Sequence, residues 1–177
     1  FNIDYNLLIF QVIWAIGISM LLLGFIIHLP FKVVVGIGFG IVFLHNLLDF
    51  SEAAKDYHPT VFMDFLHHGR FAVYTFAPNH SILIGYAFLP WTGLMMLGYG
   101  FGKIMQRPDR KKRLNQLGLA LISLFIVLRF INRYGDPYPW ATQSTALKTF
   151  FSFIKIHKYP PSLLYMCITI GPALLFL

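Results

Sequence analysis

The sequence has little cysteine and little charge. Its single cysteine, Cys167, lies inside an apolar run, so neither a disulfide framework nor a thiolate metal site can be built from it. Only 12% of the 177 residues are charged, whereas 57% are hydrophobic and 18% are aromatic. Ordinary soluble domains contain about 25% charged residues. The composition therefore excludes an ordinary soluble domain.

The sequence also lacks an initiator methionine and a cationic leader followed by a cleavage site. It starts at Phe1 and stops at Leu177, inside an apolar run. We interpret the chain as the interior of a longer protein, with one transmembrane domain over residues 1–177.

Long apolar runs separated by polar loops dominate the chain. A helix needs roughly 20 mostly apolar residues to cross a bilayer, and its backbone groups must pair internally within hydrocarbon. The sequence therefore predicts an all-α fold, a polytopic transmembrane helical bundle with the lipid bilayer as its partner. About five spans are expected, the last one truncated, near residues 7–29, 33–49, 82–102, 114–133 and 162–177.

The positive charge is concentrated in one loop. The formal net charge is +7, and six of the fourteen lysines and arginines lie within residues 103–113, between two apolar runs. Because cytoplasmic loops of membrane proteins are enriched in these residues, we interpret 103–113 as a cytoplasmic loop and expect no nucleic-acid partner. Alternation then makes residues 50–81 and 134–161 outer loops.

Smaller features predict details of packing. Ala146 to Lys158 has the pattern of an amphipathic helix lying on the membrane surface. The spacings of Gly36 with Gly40 and of Gly98 with Gly102 predict close helix contacts. Pro90 is expected to kink the third span.

A polar cluster at the outer end of the second span is the first candidate for chemistry. His45 and Asp49 are four residues apart, so they share one face of a helix. A carboxylate beside an imidazole orients the ring and raises its basicity, as a general base requires. His80 is expected at a similar depth, where it would converge with His45 on one pocket. The alternative is a helix-end cluster that faces interfacial water, with His80 only interfacial.

Two adjacent histidines do not predict a metal site. On a helix, His67 and His68 point about 100° apart, and no third ligand follows at helical spacing. We interpret them as exposed loop histidines and expect no metal.

The second outer loop supplies candidates for substrate binding. Arg129, Asn132 and Asp136 gather where the fourth span ends, and a buried arginine there needs an anion or a ring of acceptors. Lys158 and Tyr159 stand at the start of the last span, although ordinary interfacial anchoring also explains them.

Four motifs taken together resemble the bacterial membrane proteins related to heparan-α-glucosaminide N-acetyltransferase. They are His45-Asn-Leu-Leu-Asp49, Pro90-Trp91 with Gly98-Tyr-Gly-Phe-Gly102, Tyr134-Gly-Asp-Pro137 with Trp140, and Lys158-Tyr-Pro-Pro-Ser-Leu-Leu-Tyr165. The resemblance covers essentially the whole chain and corresponds to the middle of a family member.

The resemblance implies an integral membrane acetyltransferase, in a bacterial cytoplasmic membrane, that passes an acetyl group from acetyl-CoA to an extracytoplasmic acceptor such as a sugar. It places the main catalytic histidine N-terminal to this chain, so His45, Asp49 and His80 would be supporting or pocket residues. The basic loop offers a binding site for CoA, although topology alone also explains its charge; these candidates are Lys103, Arg107, Arg110 and Lys112. A homo-oligomer is compatible with this interpretation.

Two other classes of function remain open. Paired ionisable groups within spans are also typical of a proton-coupled transporter of a small anion or sugar. A noncatalytic assembly subunit would fit the glycine spacings but leaves the polar cluster unexplained.

Overall fold

The computed structural model describes residues 6–177, which form a helical bundle with a small sheet at one end. The helices are α1 (Val12–Ile26), α2 (Phe31–Leu44), α3 (Leu48–Glu52), α4 (Val61–Met63), α5 (Leu89–Met105), α6 (Arg110–Ile131), α7 (Ala146–Ile154) and α8 (Leu163–Phe176). A 3₁₀ turn, His45–Leu47, joins α2 to α3, and a π-helical turn, Asp64–His68, follows α4.

The sheet corrects the prediction of an all-α fold. It contains β1 (Leu7–Phe10), β2 (Ala72–Ala77) and β3 (His80–Ile84), in the order β1-β3-β2. β1 is parallel to β3, while β2 and β3 form an antiparallel hairpin. Both β1 and β3 lie in apolar runs expected to belong to spans, because short apolar strands and apolar helices have similar composition.

Two helical stretches are long and apolar enough to cross a membrane. They are Phe31–Glu52, which includes α2 and α3, and Arg110–Ile131, which is α6. Val12–Ile26 and Leu163–Phe176 are apolar but shorter. The expected five spans are therefore confirmed in part, as a mostly helical fold with two candidate spans and two shorter apolar helices.

Glycines lie at two close helix contacts, but they are not the glycines that were predicted. A Cβ atom on Gly93 of α5 would lie 2.6 Å from Ile41 of α2, and one on Gly118 of α6 would lie 2.8 Å from the carbonyl oxygen of Gly171 in α8. In contrast, a Cβ on any member of the two predicted pairs meets no atom within 4 Å from the rest of the described chain. Spacing alone did not identify which face of each helix is buried.

Pro90 and the predicted amphipathic helix each lie at a defined place in the fold. Pro90 lies in the first turn of α5, where a missing backbone donor costs little, so it begins the helix and does not kink it. The predicted amphipathic helix is present as α7, which Thr145 caps through Lys148 N at 3.2 Å. Phe150 and Phe151 of α7 are exposed, as a membrane-surface helix requires.

The chain reversals bring several helix ends to the same place. α2 and α6 finish, and α5 and α8 begin, at the end of the bundle that carries the sheet, which we call the sheet end. An apolar core joins α2, α6 and α8 there, through Val42, Phe125, Leu164 and Cys167. Residues 103–113 lie at the opposite end.

Candidate active site

A π-helical turn places two histidines inside the sheet end. Thr60 caps α4 by accepting a hydrogen bond from Met63 N, and the turn closes with Gly69 N donating to Asp64 O at 3.0 Å. Gly69 has φ +52°, a left-handed conformation that glycine adopts without strain. π-helical turns are rare in proteins, and those that do occur often lie at functional sites. This one carries His67 and His68.

A chain of hydrogen bonds joins three histidines through one carboxylate. His45 Nδ1 lies 3.1 Å from His67 Nε2, and His67 Nδ1 lies 2.9 Å from Glu52 Oε1. The second carboxylate oxygen, Glu52 Oε2, lies 3.0 Å from His68 Nε2. His45 is 3% exposed and His67 is fully buried. The interpretation of His67 and His68 as exposed loop residues was therefore wrong.

A second buried carboxylate anchors the turn to β2. Tyr74 donates to Asp64 Oδ2 at 2.5 Å, and Arg70 Nε lies 3.4 Å from Asp64 Oδ1. Desolvation, together with the hydrogen bond to Asp64, raises the pKa of Tyr74 to about 12. The Tyr74 hydroxyl thus stays protonated and keeps donating to Asp64 at all ordinary pH values.

Asp49 is hydrogen-bonded to Asn46 and His45 to His67, which corrects the predicted pairing of His45 with Asp49. Asn46 Nδ2 donates to Asp49 Oδ2 at 2.7 Å, and the Asn46 carbonyl oxygen accepts from Leu163 N at 2.9 Å. The helical face changes here because the 3₁₀ turn replaces the regular α-helix on which the spacing argument depended. His67 and Glu52 take the place that was expected for Asp49.

Two cavities open beside these groups, and Asp49 and Ala53 line both. The larger, which we call the Glu52 cavity, has a volume of about 240 Å³. The smaller, the Asn46 cavity, has a volume of about 180 Å³. Pro137 is also shared, and the other residues that line the Glu52 cavity are Glu52, His68, Arg70, Tyr138, His157, Tyr159 and Pro160.

Tyr159 forms part of the wall of the Glu52 cavity and has an unusual environment. The hydrogen bond from Tyr86 lowers the pKa of Tyr159, and Lys158 lowers it further. Burial and the same hydrogen bond raise the pKa of Tyr86 to about 12. Tyr86 is therefore the donor, and Tyr159 presents an oxygen whose negative charge is stabilised.

Arg129 holds the segment that covers the cavities, residues 136–157, whose two ends line them. Its side chain is 2% exposed and donates to the backbone carbonyl oxygens of four residues. The carbonyls belong to Phe153 at 2.7 Å, Tyr138 at 3.2 Å, Ser152 at 3.1 Å and Lys155 at 2.5 Å. Asp136 lies 3.9 Å away. Of the two partners expected for a buried arginine, the structure shows mainly the ring of acceptors.

Asp136 and Asn132 also hold this segment in place. The Asp136 carboxylate accepts from His157 N at 2.7 Å and from Ser162 Oγ at 3.1 Å. The Asn132 amide makes two hydrogen bonds to the backbone of Trp140, both at 2.9 Å. Both residues line the Asn46 cavity. Their roles in substrate binding, like that of Arg129, stay predictions.

One set of groups has the composition of a metal site, and whether it binds a metal stays a prediction. Ligand atoms of Asp49, Glu52 and His67 lie within 4.8 Å of one another. Both Glu52 oxygens also lie within hydrogen-bond distance of a histidine nitrogen. We interpret this set as a hydrogen-bonded cluster.

The basic loop lies far from this cluster. α6 has 22 residues and therefore spans roughly 33 Å from the loop to the sheet end. Within the loop, Asp109 pairs with Arg107 at 2.9 Å and with Arg113 at 2.8 Å, and the Lys103 ammonium lies 3.4 Å from the ring centre of Phe31. A role of this loop in binding CoA stays a prediction.

The histidine that meets His45 is His67 and not His80. His80 begins β3, and its Nδ1 lies 2.8 Å from the carbonyl oxygen of Pro78. Within residues 6–177, no contact joins it to the histidine cluster, so the predicted convergence is not found. The only sequence signal for the π-helical turn is Gly69, which lies five residues after Asp64, the separation of the hydrogen bond that closes the turn.

Comparison with known proteins adds one finding to this geometry. A family model described as "Heparan-alpha-glucosaminide N-acetyltransferase, catalytic" matches residues 1–135, about three quarters of the chain. The matched range includes His45, Glu52, His67 and the basic loop. None of the curated proteins and none of the solved structures compared with the chain matches it.

Proposed function

Because the chain belongs to the heparan-alpha-glucosaminide N-acetyltransferase catalytic family, a family of membrane acetyltransferases that use acetyl-CoA, we propose that it transfers acetyl from acetyl-CoA to an acceptor at the sheet end. The family match was expected from the four motifs. The acceptor, its side of the membrane and the residues that act on it are the new parts of this proposal.

The Glu52 cavity is the observation that carries the proposal. Acyl transfer needs a base for the nucleophile, donors for the developing oxyanion and contacts that hold the acceptor. The cavity is lined by carboxylates, which can accept from hydroxyl or ammonium groups, and by Arg70 and His157, which can donate. At about 240 Å³ it admits a compact polar molecule of the size of a monosaccharide.

His45 is the base in this proposal, in place of the supporting role that the resemblance implied, and Asp49 is the pocket residue that binds the acceptor. His45 is buried among polar partners, and Asp49 presents a carboxylate to both cavities. The acceptor loses its proton to His45 as its oxygen or nitrogen bonds to the acetyl carbon. The carbon–sulfur bond then breaks, its electron pair leaves on sulfur, and His45 returns the proton to give the thiol of CoA.

Acetyl-CoA approaches, in this proposal, from the end that carries the basic loop. Its phosphates are anionic, and Lys103, Arg107, Arg110 and Lys112 provide positive charge there. A bilayer core is about 30 Å thick, which matches the roughly 33 Å length of α6. This arrangement puts the phosphates of the donor and the acceptor on opposite sides of a membrane, so the thioester end of acetyl-CoA extends through the bundle to the sheet end.

The test is transfer of labelled acetyl by the full-length protein in sealed proteoliposomes. Acetyl-CoA is supplied at the face of the basic loop, and amino sugars and sugar alcohols are supplied at the other face. We expect labelled acceptor together with released CoA. Asp49→Asn should raise the acceptor KM about 10-fold or more, the loss of one charged hydrogen bond. Asp56→Asn, an exposed carboxylate in the same segment, is the matched control.

Other results would contradict the proposal. If no CoA is released and intact sugar or anion accumulates across the membrane, the protein is a transporter. If Asp49→Asn and Asp56→Asn have the same acceptor KM as wild type, the Glu52 cavity is not the acceptor site.

A further inference from the structure

His45 has one partnered and one unpartnered ring nitrogen, although the residue is almost completely buried. Nδ1 faces His67, whereas Nε2 has no hydrogen-bond partner in the described part of the chain. A buried polar atom without a partner is costly and rare, so it needs an explanation. His45 itself lines neither cavity, but the next residue, Asn46, lines the Asn46 cavity.

The hydrogen-bond chain determines which nitrogen of each ring carries a proton. A carboxylate can only accept, so His67 Nδ1 must donate to Glu52 Oε1. In a neutral ring the other nitrogen is then an acceptor, so His67 Nε2 accepts from His45 Nδ1. His45 Nε2 is left with a free lone pair. The unpartnered atom is therefore the basic nitrogen.

We propose that Glu52 and His67 are positioning residues that hold His45 in the tautomer whose Nε2 is the base. This inference rests on the proposed function. The arrangement extends the carboxylate–histidine pair of hydrolase triads by one ring, from Glu52 through His67 to His45. When Nε2 takes the proton of the acetyl acceptor, His45 becomes an imidazolium. Its positive charge is then stabilised by His67 Nε2, which accepts a hydrogen bond from His45 Nδ1, and by the Glu52 carboxylate behind His67.

Glu52 also serves His68, and this makes one substitution informative. Its two oxygens accept from two different rings, at 2.9 Å and 3.0 Å. A glutamine in this position can turn its one acceptor oxygen to His67, so Glu52→Gln can leave the His45 tautomer unchanged, whereas Glu52→Leu removes both acceptors. Glu52→Asp keeps both acceptors on a shorter side chain.

The experiment combines kinetics with ¹⁵N NMR of the histidine-labelled, full-length protein. The histidine signals are assigned by comparing spectra with single variants such as His45→Gln. We expect His45 Nε2 to show the shift of an unprotonated ring nitrogen in wild type and to lose it in Glu52→Leu. We expect kcat to fall about 100-fold or more in His45→Gln and at least about 10-fold in Glu52→Leu, with partial recovery in Glu52→Asp. His58→Gln, on an exposed loop, should match wild type in both measurements.

Each alternative result has a definite meaning. A protonated His45 Nε2 in wild type, or full kcat in Glu52→Leu, would overturn the positioning role. Stoichiometric metal in the purified protein that is lost in Glu52→Leu would also overturn it, since a metal ion on His67 Nδ1 replaces the proton that sets the tautomer. If wild type transfers no acetyl group, the proposed function fails, and the NMR spectrum alone then decides the tautomer.

Discussion

Replacing Arg129 should detach the segment that covers the cavities while leaving the helices below it folded. Arg129 is 2% exposed and serves four backbone carbonyl oxygens, three of them at the end of α7. Carbonyls at a helix C-terminus have no partner within the helix, so the guanidinium is their substitute. Arg129→Met removes all of these donors at once.

The magnitude follows from the number of carbonyls. Each buried carbonyl that loses its partner costs about 1–3 kcal/mol, so four of them cost at least about 4 kcal/mol if water does not replace the guanidinium. This corresponds to roughly a 10³-fold larger population of the open segment. Native domains have only about 5–15 kcal/mol of total stability, so a local opening is the expected outcome.

Hydrogen–deuterium exchange of the full-length protein in nanodiscs is the assay. We expect the amides of residues 146–156 to exchange far faster in Arg129→Met than in wild type, while those of α8 stay protected. Arg129→Lys should give an intermediate rate, since the compact ammonium has three donors and cannot reach all four carbonyl oxygens that the planar guanidinium contacts. Arg133→Met, an exposed arginine one turn away, is the control. Equal protection in Arg129→Met and Arg133→Met would refute the reasoning.

Two further predictions concern helix packing and Tyr159. Gly118→Ala should lower stability relative to Gly98→Ala by about 1–3 kcal/mol in thermal unfolding, because its Cβ meets a backbone carbonyl of α8 at 2.8 Å while that of Gly98 meets no atom from the rest of the described chain. Both changes gain the same helix propensity, about 1 kcal/mol, so equal stabilities would contradict the contact. For Tyr159, the hydrogen bond from Tyr86 is the main cause of its lowered pKa and Lys158 contributes less. Tyr86→Phe should therefore raise that pKa more than Lys158→Met does, as measured by phenolate absorbance against a Tyr159→Phe reference, and no change in either variant would contradict this assignment.

Predictions that depend on regular helices and on composition agreed with the structure in part. Apolar runs predicted helices, and the amphipathic pattern after Thr145 predicted α7. These features are local, because burial of an apolar face and helix capping depend on residues a few positions apart. The same apolar composition could not separate β1 and β3 from helices, so the small sheet was missed.

Predictions that depend on one irregular turn failed. His45 and Asp49 share a face only if the helix between them is regular, and the 3₁₀ turn moves Asp49 toward Asn46. His67 was expected in an exposed loop because nothing nearby in the sequence pairs with it. Its partners, His45 and Glu52, are 22 and 15 residues away. Such contacts depend on how separate segments pack, which spacing along one helix does not report.

The sequence by itself determined that this chain is apolar and mainly helical, that its densest cluster of positive charge lies in one loop, and that it resembles a family of membrane acetyltransferases. These properties reside in composition, local periodicity and motifs, which do not require the segments to be assembled. Only the tertiary structure decided which histidine meets His45, which acceptors surround Arg129 and which glycines lie at helix contacts. The physical reason is that hydrogen bonds and close packing act over about 3–4 Å. Residues far apart in sequence reach that distance only when the π-helical turn, the end of α2 and the segment held by Arg129 pack together.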